Sequence, residues 1–409
     1  MKMKKKVLWI SLMAPYDTVG HAGGKIENFY LKYLHANSSA DVTLVSLCKD
    51  FEVPKLDLDK YGIKSKITVR KWKGLQGIIH RGIAWLSKFN VFNQYGGLTP
   101  CDISKGISKM LDELVFEKYS PDCIVLEWTE ILFMLPKIKK CFPNVPVVSI
   151  EEDVSYLGQY RRWNYSKNWL TKQFYAIKYK RVKQLELKYL NEVEYVVLNN
   201  HKDYNLIKKD GLKNSNVWVW APYFQSYIEK KPKRQEKNIV FYGAMAREEN
   251  WKSAEWFILN VMPLLKDQEI KFVIVGSNPV KKLCQYSSDR VIVRGFVDDI
   301  SVELSSAMCL VAPLVLGAGI KIKVLEAFSC GIPVLTNSIG IEGIPAVDKE
   351  SFYYCEKPEE YANVIMQLAN NKIDVDEIEL NAKNVIINNF NFNEDAKKFV
   401  KIIEDLCEE

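Results

Sequence analysis

The sequence predicts an α/β chain of two domains, each a parallel sheet covered by crossover helices, and three observations carry that expectation. Short apolar runs alternate with amphipathic stretches along the whole chain. The alternation stops at a polar stretch near 227–238 and then restarts, which two similar domains explain better than one large sheet. The 409 residues, 48% of them hydrophobic, are too many for one compact core and enough for two of roughly 200 residues each.

In the first half the runs read as strands are 6–12, 42–47, 66–69, 123–126, 145–150 and 195–198, each short and almost wholly apolar, as strands buried on both faces must be. The stretch YIEKKPKRQEKN at 227–238 contains proline, is dense in charge and lacks apolar periodicity, so it is read as a linker after an N-terminal domain at 1–226. Strands resume at 239–242, 270–275, 291–293, 309–312 and 333–336, which places a C-terminal domain at 239–390. Helical spacing in the last segment, 391–409, predicts a helix packed back onto the first domain. Both domains are expected to be Rossmann-like and to face each other across a cleft.

Composition excludes several classes. Nine scattered cysteines without a CxxC pair, and only four histidines, argue against a disulfide framework or a zinc site and fit a reducing cytoplasm. The basic start MKMKKK precedes an apolar run, 7–14, about one buried strand long, which is read as a strand and not as a signal peptide. No stretch approaches the ~18 uninterrupted apolar residues of a spanning helix, so a soluble or surface-bound chain is expected. The net charge of +7 is mild, and its placement matters more than its size.

The stretch that carries chemistry is 311–344, VAPLVLGAGIKIKVLEAFSCGIPVLTNSIGIEGI. A buried strand ends at Pro313 and leads into a loop with Gly317 and Gly319, then a helix expected from about Ile320 to 330. The glycines let backbone approach a ligand closely, and open amides at a helix start favour an anion such as a diphosphate. Lys321 and Lys323 are expected to add full positive charge beside those amides. Glu326 lies seven residues past Gly319, nearly two helical turns, where its carboxylate can accept two hydrogen bonds from a ribose diol. Its neighbours Val324, Leu325, Ala327 and Phe328 are apolar, so a solvated surface role is disfavoured.

This stretch resembles the donor-site signature of the group 1 glycosyltransferases, family 4, in the branch with a GxGxKxKxLEAxxxGxPVxxxxxGxEG pattern. The order IVFYGAM, VMPLL, FVIVG, VRGFVDDI and VAPL is similar to that branch over 239–344, and the likeness is weaker over the first domain. The resemblance implies a GT-B type architecture and transfer of a sugar from a nucleotide-sugar donor, a UDP- or GDP-sugar, to a glycan or lipid-linked acceptor with retention of configuration. It further implies that Glu326 holds the donor ribose and that amides from Gly319 through Ile320 to Lys321 meet the diphosphate or sugar. The loop 295–298, with Phe296 and Val297, is then expected at the nucleobase. The chain departs from the pattern at Ala318, where many members carry a first glutamate, and at Ala244 and Asn250, where many carry Arg and Lys. Arg247, Lys321 or Lys323 is expected to supply the phosphate charge. No cofactor and no metal is expected.

In the first domain GHAGG at 20–24 follows the first strand and precedes a helix expected near Lys25, a turn that suits either a phosphate or plain chain reversal. Gly23 and Gly24 resemble the family's glycine loop that faces the donor. The run is no Walker motif, because Ile26 follows Lys25 where Ser or Thr would hold magnesium. Acids stand at two strand ends, Glu127 after IVL and Glu151, Glu152 and Asp153 after VVSI, where open α/β sheets bind ligands. Glu152 or Glu127 is the candidate group to take an acceptor proton, with surface capping as the alternative.

Residues 160–190 set nine Lys and Arg against one acid, Glu186, with Trp163, Trp169, Phe174 and Tyr175 between them. Such a helix suits an anionic membrane surface, with Trp72, Trp85 and Lys88 in 70–92 alike in character. Nucleic acid is a disfavoured partner, and a solvated basic helix is the bland alternative. Polysaccharide assembly in the cytoplasm, at the inner face of the membrane, is the expected setting. Two other classes compete: a nucleotide-dependent oxidoreductase, weakened by the lack of GxGxxG after either first strand, and a non-catalytic scaffold binding lipid or RNA.

Overall fold

All eleven apolar runs form strands; the central ones are buried on both faces, as stretches of Val, Ile, Leu and Phe require, while 66–69 and 291–293 lie in edge strands and are largely half-buried. The structure, a computed structural model, describes residues 4–233 and 237–408; residues 234–236, inside the stretch read as a linker, lie outside the described residues. The chain divides into two compact units, Met1–Tyr223 together with Phe392–Glu409, and Phe224–Asn391.

The first unit holds β1 (Lys6–Ser11), β2 (Asp41–Lys49), β3 (Lys64–Arg70), β4 (Cys123–Glu127), β5 (Val147–Glu151), β6 (Tyr195–Leu198) and β7 (Val217–Val219). They form one sheet in the order β3-β2-β1-β4-β5-β6-β7, with every pair parallel. The second unit holds β8 (Asn238–Tyr242), β9 (Lys271–Val275), β10 (Val291–Gly295), β11 (Cys309–Ala312), β12 (Val334–Thr336) and β13 (Tyr353–Tyr354). Its order is β10-β9-β8-β11-β12-β13, again all parallel. Both orders are those of a doubly wound Rossmann-like sheet, in which the direction of winding reverses beside the first strand. The reversal falls between β1 and β4 in one unit and between β8 and β11 in the other. Outside the carboxyl ends of those strands is where such sheets take ligands.

Two short edge strands, β7 and β13, have no counterpart among the runs read from the sequence. Val217, Trp218 and Val219 are only half-buried and Tyr354 is exposed, so neither edge presents a continuous apolar run.

The C-terminal helix, Phe392–Glu408, buries Ala396, Phe399, Val400, Ile403 and Cys407, one stripe at helical spacing. Phe399 sets its ring edge against Trp9 at 6.1 Å and Trp220 at 5.2 Å. Asp395 accepts a hydrogen bond from the amide of Ala221 at 2.8 Å. The helix is therefore part of the first unit's core.

The stretch 160–190 is less uniformly basic than its sequence suggests. Lys178 is buried and donates to the carbonyl of Gly97 at 3.0 Å, and burial pulls its pKa down to about 8. Lys183 pairs with Asp210 at 2.7 Å. Glu186 is buried and accepts from the amides of Ser155 and Tyr156, each at 3.0 Å, so it caps the helix Ser155–Tyr165 and is not a surface acid.

Candidate active site

In the second unit the strand β11 leads through Pro313 into a loop in which Gly317 and Gly319 take φ of +113° and +68°, values that side chains beyond glycine rarely adopt. The loop delivers the chain to the helix Ile322–Cys330, which starts two residues later than the sequence suggested. Ile320 is half-buried on the approach and Lys321 is the capping residue, with no side chain capping the first turn.

Glu326 sits one turn inside this helix, not two turns beyond the loop, and is 2% exposed. Its Oε2 accepts a hydrogen bond from the Tyr242 hydroxyl at 2.5 Å. Tyr242 is the last residue of β8, so the strand beside the reversal point holds the carboxylate in place. Burial first, and then the Glu326 charge, push the Tyr242 hydroxyl well above the usual phenol range, so it stays a donor.

The two lysines behave differently from the expectation. The Lys321 ammonium turns back onto its own loop, donating to the carbonyls of Ala318 at 3.1 Å and of Gly319, and lies 3.9 Å from Glu342. Lys323 donates to Asn250 Oδ1 at 2.8 Å and stands 4.3 Å over the Phe241 ring. Burial pulls its pKa down to about 7, against the opposing pull of Glu249, so it is no fixed cation at neutral pH. Both side chains brace the loop instead of projecting full charge past it. Long flexible side chains follow their nearest acceptors, which for Lys321 are carbonyls of its own loop and for Lys323 is Asn250 from another helix.

Asn250, buried in the helix Glu248–Asn260, also donates to the carbonyl of Ala244 at 3.0 Å. It ties the turn after β8 to Lys323 and hence to the donor-type helix. Arg247 caps that same helix at its start, is exposed, and pairs with Glu249. Phe296, 67% exposed, and half-buried Val297 follow β10 at the sheet edge, two strands from β8.

In the first unit the helix after β1 is Ala22–Asn37, so Gly23 and Gly24 lie in its first turn and not before it. The helix thus begins three residues before Lys25, where it was expected. His21 caps the helix, its Nδ1 accepting from the amide of Gly24 at 3.0 Å. A Cβ on Gly23 would lie 2.1 Å from Trp128 Cη2, so this glycine makes room for the indole. Trp128 follows β4 with φ +81°, a strained backbone for an aromatic residue, at the carboxyl end beside the reversal point.

Around it gather three carboxylates. Glu27, on the inner face of Ala22–Asn37, accepts from Trp128 Nε1 at 3.4 Å, and burial pushes its pKa up to about 8. Glu127, the last residue of β4, is 1% exposed; burial and then the Glu152 charge hold it well above the usual carboxylate range. Half-buried Glu152 accepts from Asn199 Nδ2 at 3.1 Å and is pushed up to about 7, by burial first. The Glu152 charge is among the causes that raise Glu127, so the two carboxyls titrate as neighbours. Glu151 stands apart, buried and accepting from Thr129 at 2.5 Å and Ser149 at 2.7 Å.

Sequence reasoning missed Tyr242, Glu27, Trp128 and Asn199. Glu27 left a faint signal, an acid flanked by Ile26, Tyr30 and Leu31 on an otherwise apolar helix face.

Residues 236–371 match the family described as Glycosyl transferases group 1. An uncharacterized 44.6 kDa protein in the cps region of Klebsiella pneumoniae is 25% identical over 224 residues, 49% of this chain and 56% of that protein. The chain thus matches little more than half the length of that relative. Among solved structures, sucrose-phosphate synthase from Thermosynechococcus elongatus superimposes with TM-score 0.75 at 14% identity, covering 98% of this chain and 99% of that one. Anabaena HepE in complex with UDP-glucose gives TM-score 0.68 at 13% identity over 98% and 99%. TarM from S. aureus, in a complex that includes UDP, gives 0.66 at 14% over 99% and 100%. The match to that family lies within the second unit, and the two parallel-sheet α/β units have the GT-B glycosyltransferase fold.

Proposed function

We propose that the chain is a family 4 type glycosyltransferase that moves a sugar, with retention of configuration and without a metal, from a UDP-sugar to a hydroxyl of a glycan or lipid-linked acceptor. The observation that carries this reading is Glu326, a buried carboxylate one turn inside the helix Ile322–Cys330, held by Tyr242 at the reversal point of the second sheet. In this reading the carboxylate accepts both ribose hydroxyls while the first amides of the helix receive the diphosphate. Fixed dipoles of that kind stabilise charge growing on a leaving diphosphate without reorganising. Phe296 and Val297 are assigned to the base. UDP in the HepE and TarM complexes favours uridine over guanosine, and the cps-region relative favours surface polysaccharide assembly.

The acceptor is assigned to the first unit. A pKa near 7 leaves Glu152 partly ionised at neutral pH and suits it to take a proton, whereas Glu127 keeps its own and positions its partner. The test is calorimetry with UDP and GDP, followed by hydrolysis of a nucleotide-sugar panel with and without EDTA. Binding of UDP and chelator-insensitive turnover of a UDP-sugar are expected. Failure to bind either nucleotide would overturn the assignment.

A further inference from the structure

The helix Gly74–Ser87 is built inside out. Gly77, His80, Ala84 and Ser87, small or polar and spaced three or four apart, form its less exposed side, and the helix rests on the helix Cys101–Phe116. His80 Nδ1 lies 3.9 Å from Asp102 on that helix, and Ser87 accepts from the amide of Cys101 at 3.3 Å. The large apolar residues point away: Leu75, Ile78, Ile79, Ile83, Trp85 and Leu86 are 39% to 74% exposed. A globular helix ordinarily does the reverse. Phe89 and Phe92 prolong the face past the helix end, at 51% and 78% exposure.

A second element joins it. The Phe89 ring lies 5.3 Å from Phe174 on the helix Trp169–Leu190, whose first residues, Trp169 and Leu170, are each 68% exposed. The two elements form one apolar face, well beyond the scattered hydrophobics of a soluble surface. The two stretches bring cations and no acid of their own, and two acids against the first, Asp50 on the amide of Trp72 and Asp102 beside His80, are half-buried. Lys71, Lys73, Lys88, Lys167 and Lys172 are exposed, and neither 71–101 nor 154–185 contains an Asp or Glu. Exposed apolar bulk with tryptophans, and exposed lysines along both stretches, complements an anionic bilayer surface: acyl chains take the apolar side chains, headgroups the indole edges and phosphates the ammonium groups.

We propose that this face of the first unit, led by the helix Gly74–Ser87, docks the protein on anionic phospholipid membrane. The basic stretch 160–190 contributes its first turns, while Lys178 and Lys183 are engaged inside the fold. The surface goes beyond the sugar-transfer reading and stands without it.

The test is sedimentation of the full chain with vesicles of phosphatidylcholine, alone or mixed with phosphatidylglycerol. The wild type is expected to sediment with the mixed vesicles and less so as salt rises. The triple variant L75E/I79E/L86E changes only outward side chains, so it should keep the wild-type melting temperature and UDP affinity while its membrane partition falls at least about tenfold. Wild type left in the supernatant with mixed vesicles, or a triple variant that sediments equally, overturns the proposal. So does a wild-type dimer that the variant dissociates without vesicle binding, which would assign the face to a second copy, or RNA binding without vesicle binding. Loss of UDP binding by the wild type would instead strike the proposed function and leave this face untouched.

Discussion

Replacing Glu326 with glutamine keeps the size of the side chain and removes its charge, which isolates the electrostatic part of its proposed role. The carboxylate accepts the Tyr242 hydroxyl at 2.5 Å in a site where it is only 2% exposed. A hydrogen bond to a charged group contributes about 1.5–3 kcal/mol and a neutral one about 0.5–1.5 kcal/mol, so each bond to Glu326 should weaken by about 1 kcal/mol. Two ribose hydroxyls then lose about 2 kcal/mol together, which is a Kd for UDP raised about 30-fold. The Tyr242 bond weakens by the same step, so the folded state should lose about 1 kcal/mol. Tyr242→Phe separates the two effects, because it removes the hydroxyl and leaves the carboxylate. It should lose the whole bond, about 1.5–3 kcal/mol of stability, yet raise the Kd less than about tenfold, since the helix still places Glu326. Titration calorimetry with UDP reads the affinities, and urea unfolding the stabilities. Wild-type affinity in Glu326→Gln, with the stability loss present, would refute the assignment of the carboxylate to the nucleoside.

Two further outcomes follow from the first unit. Glu127 and Glu152 bind their protons more tightly folded than unfolded, where each titrates near its ordinary value of 4.5; stability from this pair is complete below that pH and declines as pH rises through the folded values, about 7 for Glu152. Glu152 alone makes this decline about 3 kcal/mol, so Glu127→Gln should unfold with a flatter profile than wild type between acid and mildly alkaline pH. Equal profiles in urea titrations would contradict a raised pKa at Glu127. Gly23→Ala places a methyl 2.1 Å from the Trp128 indole, so the ring must shift or the helix must move. A loss of about 1–3 kcal/mol is expected, with a changed tryptophan emission; unaltered stability and emission would show that the indole is not wedged there.

The sheets were legible in the sequence because parallel strands buried on both faces admit little but branched and aromatic apolar residues, and that composition shows without any knowledge of partners. The helix after Gly319 was legible for a similar reason, since a carboxylate among Val324, Leu325, Ala327 and Phe328 has no cheap place except a site. What the sequence could not convey was direction and partnership. Tyr242 and Glu326 are 84 residues apart, and only the pairing of β8 with β11 sets them together. Lys321 and Lys323 read as projecting cations until the fold supplied loop carbonyls, Glu342 and Asn250 as closer acceptors. Gly23 and Gly24 read as a turn suited to a phosphate or to plain chain reversal, and only the fold showed His21 capping at Gly24 and the Trp128 indole packed against Gly23. The outward face of Gly74–Ser87 is the sharpest case: its periodicity marks an apolar stripe, but periodicity is the same whether that stripe points in or out. Which side meets the protein is decided by what the neighbouring helix can accept, and here it accepts the small and polar side.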